Sequence, residues 1–326
     1  MQRIHCSFCQ QDDARLVYRV PDRYFSGREA FSIMRCNNCG LLYVNPQPDA
    51  QELSAYYPPA YFELFLDKEI PGQRKKTLEK KCQQRLRVIQ RFKEKGRVLD
   101  IGCADGYFLH CLKREGWEVA GVEPSEFAAK KAKEEYGIPV SCGELLDARY
   151  PDNCFDVISL FETLEHVPKP LETLWEIKRI LKSDGLLVGT VPNFASLQRR
   201  IFSRHWYCVD PPRHLFYFTR NVLCAILEKS GFSSVRIQPT AGQALLGTQR
   251  TTGYSESIRV LWNDITSKEG LLGPQGKGPQ GPREQPAITL VKKFLHACEK
   301  MLFYVPALSE RILGSQDTLL FTALKS

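Results

Sequence analysis

The chain has no apolar run near the roughly 20 residues that a membrane-spanning helix needs. Met1–Gln10 likewise lacks the apolar stretch of a secretion signal. Together these absences predict a cytoplasmic protein with no transmembrane segment. No internal repeat is visible, which excludes solenoids and propellers. A strong charge imbalance is missing too. The net charge of +8, from 45 Lys and Arg against 37 Asp and Glu, suits anionic acceptors and permits nucleic acid without demanding it. With 43% hydrophobic and 25% charged residues the composition is that of an ordinary globular protein. Twelve cysteines in a chain without a secretion signal point to metal ligands or buried thiols, not to a disulfide scaffold.

Residues 98–106 (Val-Leu-Asp-Ile-Gly-Cys-Ala-Asp-Gly) read as a strand, a tight glycine turn and a helix start. The dinucleotide fingerprint of three glycines, G-x-G-x-x-G, is absent. In its place stands Asp100-x-Gly102-x-Ala104-x-Gly106. A second strand over 118–122 ends in Glu123, where an acid is placed to accept hydrogen bonds from a ribose diol. A nucleotide-type cofactor is the reading these residues support, and a methyl group at Ala104 is tolerated if that residue has negative φ.

Short apolar strands follow at 140–144, 155–160, 186–193, 234–238 and 318–324. Helical periods lie between them at 171–181 and 220–230, the latter ending before Gly231. The alternation predicts an α/β, doubly wound, parallel sheet of seven strands. The acidic glycine loop resembles motif I of class I S-adenosylmethionine-dependent methyltransferases, over roughly 97–237, with Ala104 as a departure. The Leu164-Glu165-His166-Val167 signature is similar to that of the ubiquinone-biosynthesis O-methyltransferases. The resemblance implies a Rossmann-like core at 96–244. It places S-adenosylmethionine against Asp100, Gly102, Cys103, Ala104, Gly106, Glu123, Pro124, Glu144, Phe161 and Glu162.

Cys6-x-x-Cys9 and Cys36-x-x-Cys39-Gly40 supply four thiolates, the ligand set of a closed, structural Zn²⁺ site. No thioredoxin-like βαβ pattern surrounds them, which argues against a redox role. The short alternating runs at 15–20 and 30–35 predict the strands of an N-terminal zinc ribbon over 1–50. The run that follows, with Tyr43, Pro46 and Pro48, resembles the front end of zinc-ribbon methyltransferases acting on bacterial glycans and secondary metabolites. The other eight cysteines show no ligand spacing and read as buried apolar residues.

Residues 51–95 hold an aromatic cluster (Tyr56, Tyr57, Tyr61, Phe62), read either as packing or as a lid, and a basic amphipathic helix over 73–95. Residues 245–326 read as a helical insertion, a Gly/Pro-rich mobile loop at 270–286 and the last core strand. An amphipathic helix at 288–304 either packs on the core or touches a membrane surface.

Methylation of an oxygen also needs a base or a metal. The resemblance to the quinone O-methyltransferases implies a second divalent ion at Glu162, Glu165 and His166. The alternative at these positions is a capped loop with a packed histidine. The other candidate base is His214, with Arg213 beside it to grip an anionic acceptor; the alternative is a rigid Pro-Pro turn. His205, Trp206 and Tyr207 are expected to line the same pocket. The sequence thus predicts a methyltransferase acting on oxygen of a small-molecule or glycan-pathway acceptor. An RNA methyltransferase, a sugar C-methyltransferase and a non-catalytic protein of this fold stay as alternatives. No Asp/Asn-Pro-Pro-Tyr motif is present, which excludes only the amino-group base methylators.

Overall fold

A computed structural model of the 326-residue chain describes residues 1–24, 30–58, 73–240, 257, 260 and 316–326. The expected helix at 288–304, the loop at 270–286, Cys298 and two members of the aromatic cluster, Tyr61 and Phe62, lie outside the described residues.

The larger sheet is built from β4 (Arg97–Ile101), β5 (Glu118–Glu123), β6 (Val140–Cys142), β7 (Phe155–Phe161), β8 (Leu181–Pro192), β10 (Phe232–Thr240) and β11 (Thr318–Lys325). Their order is β10-β11-β8-β7-β4-β5-β6. The five strands from β8 to β6 run parallel. Val98, Leu99, Ile158 and Leu187 are fully buried between covered faces, as near-continuous apolar runs require. The expectation of a wholly parallel sheet fails at β11, which is antiparallel to both β8 and β10. The reason is where the chain re-enters. Thr318 pairs with Pro192, the last residue of β8, so β11 starts at the carboxyl ends of the parallel strands and must run back. Strand β8 also starts at Leu181, before the expected 186. Asp184 (φ 58°) and Gly185 are absorbed as an irregularity in the β7–β8 register, not as a turn ahead of the strand.

Helix α2 (Gln73–Gln90) turns Cys82, Leu86 and Ile89 inward and packs on α3 (Tyr107–Arg114). It stops five residues short of the expected 95, and Phe92 and Lys93 close its last turn on Ile89. Helix α4 (Glu126–Tyr136) is capped by Ser125, whose side chain accepts from Ala128 N. Helix α5 is Pro170–Ile180, and α7 (Arg220–Lys229) ends as expected at Gly231, φ 84°.

The N-terminal strands β1 (Ala14–Pro21), β2 (Ala30–Cys36) and β3 (Leu42–Val44) form the antiparallel ribbon. A fourth strand, β9 (Phe216–Tyr217), comes from the core and pairs with β3 through Leu42–Tyr217 and Tyr43–Phe216. Cys6, Cys36, Leu41 and Tyr43 pack in one apolar cluster with Leu215, Phe216 and Leu223. The ribbon therefore shares both hydrogen bonds and a core with the larger domain.

Candidate active site

The carboxyl ends of β4, β5 and β7 bring the glycine loop and its acids together, where open α/β sheets bind ligands. After β4 the backbone is left-handed at Gly102 (φ 73°), Ala104 (φ 49°) and Gly106 (φ 75°). A Cβ at Gly102 would lie 2.7 Å from Thr163 Oγ1, and one at Gly106 would lie 2.7 Å from Ala132 Cβ. Thr163 Oγ1 donates to Ile101 O at 3.0 Å and ties the loop to the segment after β7. The negative φ expected for Ala104 is corrected by its value of 49°. The left-handed conformation costs an alanine roughly 1–2 kcal/mol. Ala104→Gly is therefore expected to raise the unfolding free energy by about 0.5–1 kcal/mol in urea denaturation. A destabilised variant would show that the loop is not strained there.

Glu123 ends β5, and Oε2 accepts from Ala104 N while Oε1 accepts from Ser125 N, each at 2.9 Å. The acid thus braces the loop, and each oxygen keeps a lone pair for a ribose hydroxyl. Burial pushes its pKa up to about 7, against backbone donors that lower it. Asp100, buried at the end of β4, accepts from Ser159 Oγ at 2.5 Å, and burial raises it to about 6. Pro124 follows Glu123 and leads into the α4 cap. Glu144, beyond β6, is raised by burial and by the charge of Asp147. The Cys103 thiol points at the sheet, since a Cβ on Gly121 would sit 2.5 Å from its Sγ. Cys103 can therefore meet a cofactor only through its backbone. Phe161 closes β7 edge-on to Phe108, with ring centres 5.4 Å apart. These residues fit the cofactor the sequence implied: a left-handed loop for close approach and two buried acids for positive groups and a diol.

On the acceptor side the geometry revises the expected metal set. Glu162 has φ 60° and its Oε1 lies 3.4 Å from Thr190 Oγ1. Among the described residues, the groups that can gather on one ion here are Glu165, His166 and His214, whose ligand atoms all lie within 4.8 Å of one another. His214 takes the place expected for Glu162, because the strained end of β7 sends that carboxylate toward β8. Glu165 is buried, and among the described residues its Oε2 has no hydrogen-bond partner. Burial and the charge of Glu162 raise its pKa well above the carboxylate range.

His214 Nδ1 lies 2.8 Å from Cys208 O. A carbonyl only accepts, so Nδ1 carries the proton and Nε2 the lone pair. Burial lowers the pKa of His214 and takes that of His166 down to about 3, with the charge of His214 adding to the latter. The two rings meet edge to face, 4.7 Å between centres. His166 Nδ1 lies 3.0 Å from both Arg213 O and Tyr57 Oη. Tyr57 belongs to the aromatic cluster flagged in the sequence, but only the fold shows that it reaches His166.

Two acceptor-side expectations, for Arg213 and Trp206, are corrected. Arg213 is 0% exposed, its guanidinium bound by Asp210 (2.6 and 2.9 Å) and Asp22 (2.7 Å), so it anchors the loop and does not grip an acceptor. Trp206 is fully buried in the apolar cluster under the ribbon, with Phe194 and Tyr217. Tyr207 Oη donates to Asp317 at 3.1 Å, which ties it to the start of β11. Among the cysteines read as buried, Cys142 is exposed.

In the ribbon the Sγ atoms of Cys6 and Cys39, and of Cys9 and Cys36, lie 3.4 Å apart, and all four fall within 4.8 Å. That spacing fits a tetrahedral Zn²⁺ with bonds of about 2.3 Å. Knuckle bonds from Gln10 N to Cys6 O and from Gly40 N to Cys36 O hold the two pairs.

The comparisons with known proteins agree with this geometry. The model of a family described as "Methyltransferase domain" matches residues 73–237. A ubiquinone biosynthesis O-methyltransferase of Actinobacillus pleuropneumoniae is 38% identical over 108 residues, 30% of this chain and 46% of the relative. A tRNA U34 carboxymethyltransferase of Proteus mirabilis is 29% identical over 199 residues, 55% of each chain. The chain spans about half the length of the curated relatives it matches. The crystal structure of a SAM-dependent methyltransferase from Archaeoglobus fulgidus has 21% identity and a TM-score of 0.50, covering 83% of this chain and 99% of that one, a likeness of fold. With half its length matched by the family model, and the sheet order and glycine loop described above, the chain belongs to the methyltransferase-domain family, with the class I S-adenosylmethionine-dependent fold.

Proposed function

We propose that the protein transfers a methyl group from S-adenosylmethionine to an oxygen of a small-molecule or glycan-pathway acceptor, in the cytoplasm, with zinc as a structural ion in the ribbon. The observation that carries the reading is His214: a half-buried, neutral imidazole with its Nδ1 proton fixed on Cys208 O, next to the segment that ties down the glycine loop. The cofactor supplies an electrophilic methyl on a sulfonium. Gly102, Gly106 and Glu123 orient it, and His214 Nε2 takes the proton of an acceptor hydroxyl. Much of the rate comes from holding donor and acceptor in line. A second reading rests on the orphaned Glu165 Oε2: Glu165, His166 and His214 would hold a divalent ion of mixed nitrogen and oxygen preference. Such an ion would supply Lewis acidity to the acceptor oxygen.

Calorimetric titration of S-adenosylmethionine and S-adenosylhomocysteine, with zinc assayed on the same sample, tests the core of the proposal. Saturable binding with one zinc per four-cysteine set supports it; zinc without cofactor binding makes the chain a scaffold of this fold. Isotope-labelled methyl transfer onto hydroxylated acceptors then tests the oxygen target. Product methylated on carbon or nitrogen overturns that part, and salt-sensitive transfer to RNA moves the acceptor class.

Glu123 gives this reading a pH signature. Its carboxyl is raised from 4.5 to about 7, so between those values the folded chain keeps a proton the unfolded chain has lost. Its contribution to stability therefore falls as pH rises through that window. A diol that donates to the ionised form drives the proton off. Cofactor affinity should climb from pH 5 to 7, by at most about tenfold per pH unit, then level. Titrations near pH 6 in buffers of different ionisation enthalpy should show proton release. Asp100 titrates nearby, so Glu123→Gln isolates the effect: release that persists unchanged in that variant removes Glu123 from the ribose.

A further inference from the structure

Helices α2 and α3 bring two thiols together beside the glycine loop. Cys82 on α2 is buried and Cys111 on α3 is half-buried, and the Cys82 thiol donates a hydrogen bond to the Cys111 sulfur. Cys82 belongs to the apolar cluster that holds Leu86, Phe108 and Leu112, and Cys111 packs against it. The two thiols are not alike. The bond from Cys82, with the charge of Arg114 one turn further along α3, holds Cys111 below the usual thiol range, against burial and the charges of Glu79 and Glu115. The same bond and burial push Cys82 far above that range. Cys111 is therefore the nucleophile, and the proton stays on Cys82. A half-exposed sulfur of thiolate character, near a cation and in contact with a second thiol, is the arrangement that oxidation selects.

We propose that Cys111 and Cys82 form a reversible oxidation site, with a hydroperoxide as the oxidant, and that its disulfide weakens the cofactor pocket. The Cys111 thiolate attacks the O–O bond of the peroxide, keeps one oxygen as a sulfenic acid and releases the other as hydroxide or alkoxide. The Cys82 sulfur then attacks the Cys111 sulfur. The S–O bond breaks, the Cys82 proton leaves with the oxygen as water, and a disulfide joins α2 to α3. A dithiol reductant reverses the step by thiol–disulfide exchange. A covalent bond is shorter than the hydrogen-bonded contact it replaces, so the two helices must shift. The shift reaches the pocket within one turn of each helix. Phe108, one turn before Cys111, packs edge-on against Phe161 at the end of β7, and Arg85, one turn after Cys82, stacks on both rings. Close packing transmits such a displacement. The effect on the pocket rests on the S-adenosylmethionine reading above; the oxidation chemistry does not.

The test treats the full chain, with zinc supplied, with a modest excess of hydrogen peroxide and maps its disulfides by non-reducing peptide mass spectrometry. The expected product is a Cys82–Cys111 disulfide, seen as the loss of two hydrogens and reversed by dithiothreitol. In Cys82→Ala the reaction should stop at the sulfenic acid of Cys111, which dimedone traps. In Cys111→Ser the buried Cys82 should stay reduced. Affinity for S-adenosylhomocysteine should fall about fivefold or more on oxidation, the scale of a strained core. It should return with dithiothreitol and be insensitive to peroxide in Cys111→Ser. Disulfides confined to the ribbon cysteines, or Cys111 oxidised in the unmodified chain with Cys82 left untouched, overturn the proposal. A Cys82–Cys111 bond that leaves the affinity unchanged overturns the link to the pocket. A reduced chain that does not bind S-adenosylhomocysteine takes down the cofactor reading, while the disulfide map still decides the oxidation site.

Discussion

His214→Ala should lower turnover by about 10²–10⁴-fold, the usual loss when a positioned base is removed, while S-adenosylmethionine affinity stays within about twofold. The split follows from position. His214 sits in the loop before β9 and bonds to Cys208 O, whereas the residues proposed to hold the cofactor lie on β4, β5 and the glycine loop. Burial lowers the pKa of the ring below 6.5, so the neutral base is already formed in weakly acidic solution. The acid limb of the turnover profile should therefore lie below pH 6.5 and vanish in the variant. Added imidazole, filling the space left by the ring, should restore part of the rate. Wild-type turnover in His214→Ala would remove the base. Wild-type turnover lost on chelation and regained with a divalent ion would shift its role to that of a ligand beside Glu165 and His166.

Arg213→Ala should cost about 3–5 kcal/mol of folding free energy, because it leaves buried charge without its partner. Asp22 and Asp210 are both buried, and the three hydrogen bonds named above all end on this guanidinium. Burial pushes Asp210 up, but the hydrogen bonds and charge of Arg213 outweigh it and hold the carboxyl below its usual range. A depressed carboxyl adds stability above its unfolded pKa, and that stability is lost as pH falls through the folded value. In Arg213→Ala the sign reverses for the orphaned Asp210. The deficit should be largest near neutrality and shrink toward pH 4 as that carboxylate takes up a proton. Denaturation across pH 4–8 checks this, and a deficit that does not change with pH would count against the ion network.

Much of the core was legible because its signals are local. The apolar strands, the 3.6-residue periods, the Gly231 stop and the four-cysteine spacing each lie within a short window, and each reappears in the fold. What escaped depends on residues far apart in the chain. Strand β9 has two residues and no periodicity of its own; only β3 makes it a strand. Arg213 looked available because its partner Asp22 belongs to the ribbon. Glu162, Glu165 and His166 are neighbours in sequence, but the left-handed backbone at Glu162 turns one of them away, and His214 arrives from another loop. Ala104 misled for a different reason. Residue type gives only a preference for φ, and the bonds holding the loop to Thr163 and Glu123 override it.

The strand pairing between Tyr43 and Phe216 also bears on how such a protein diversifies. A module joined through a linker can be exchanged by recombination near its boundary. Here a foreign N-terminal segment would have to bring a strand in register with β9 and an acid where Asp22 meets Arg213, or leave an unpaired edge and a buried charge. Ribbon and the loop before β9 are thus structurally interdependent, and substitutions on either side of the β3–β9 seam should be accepted in pairs.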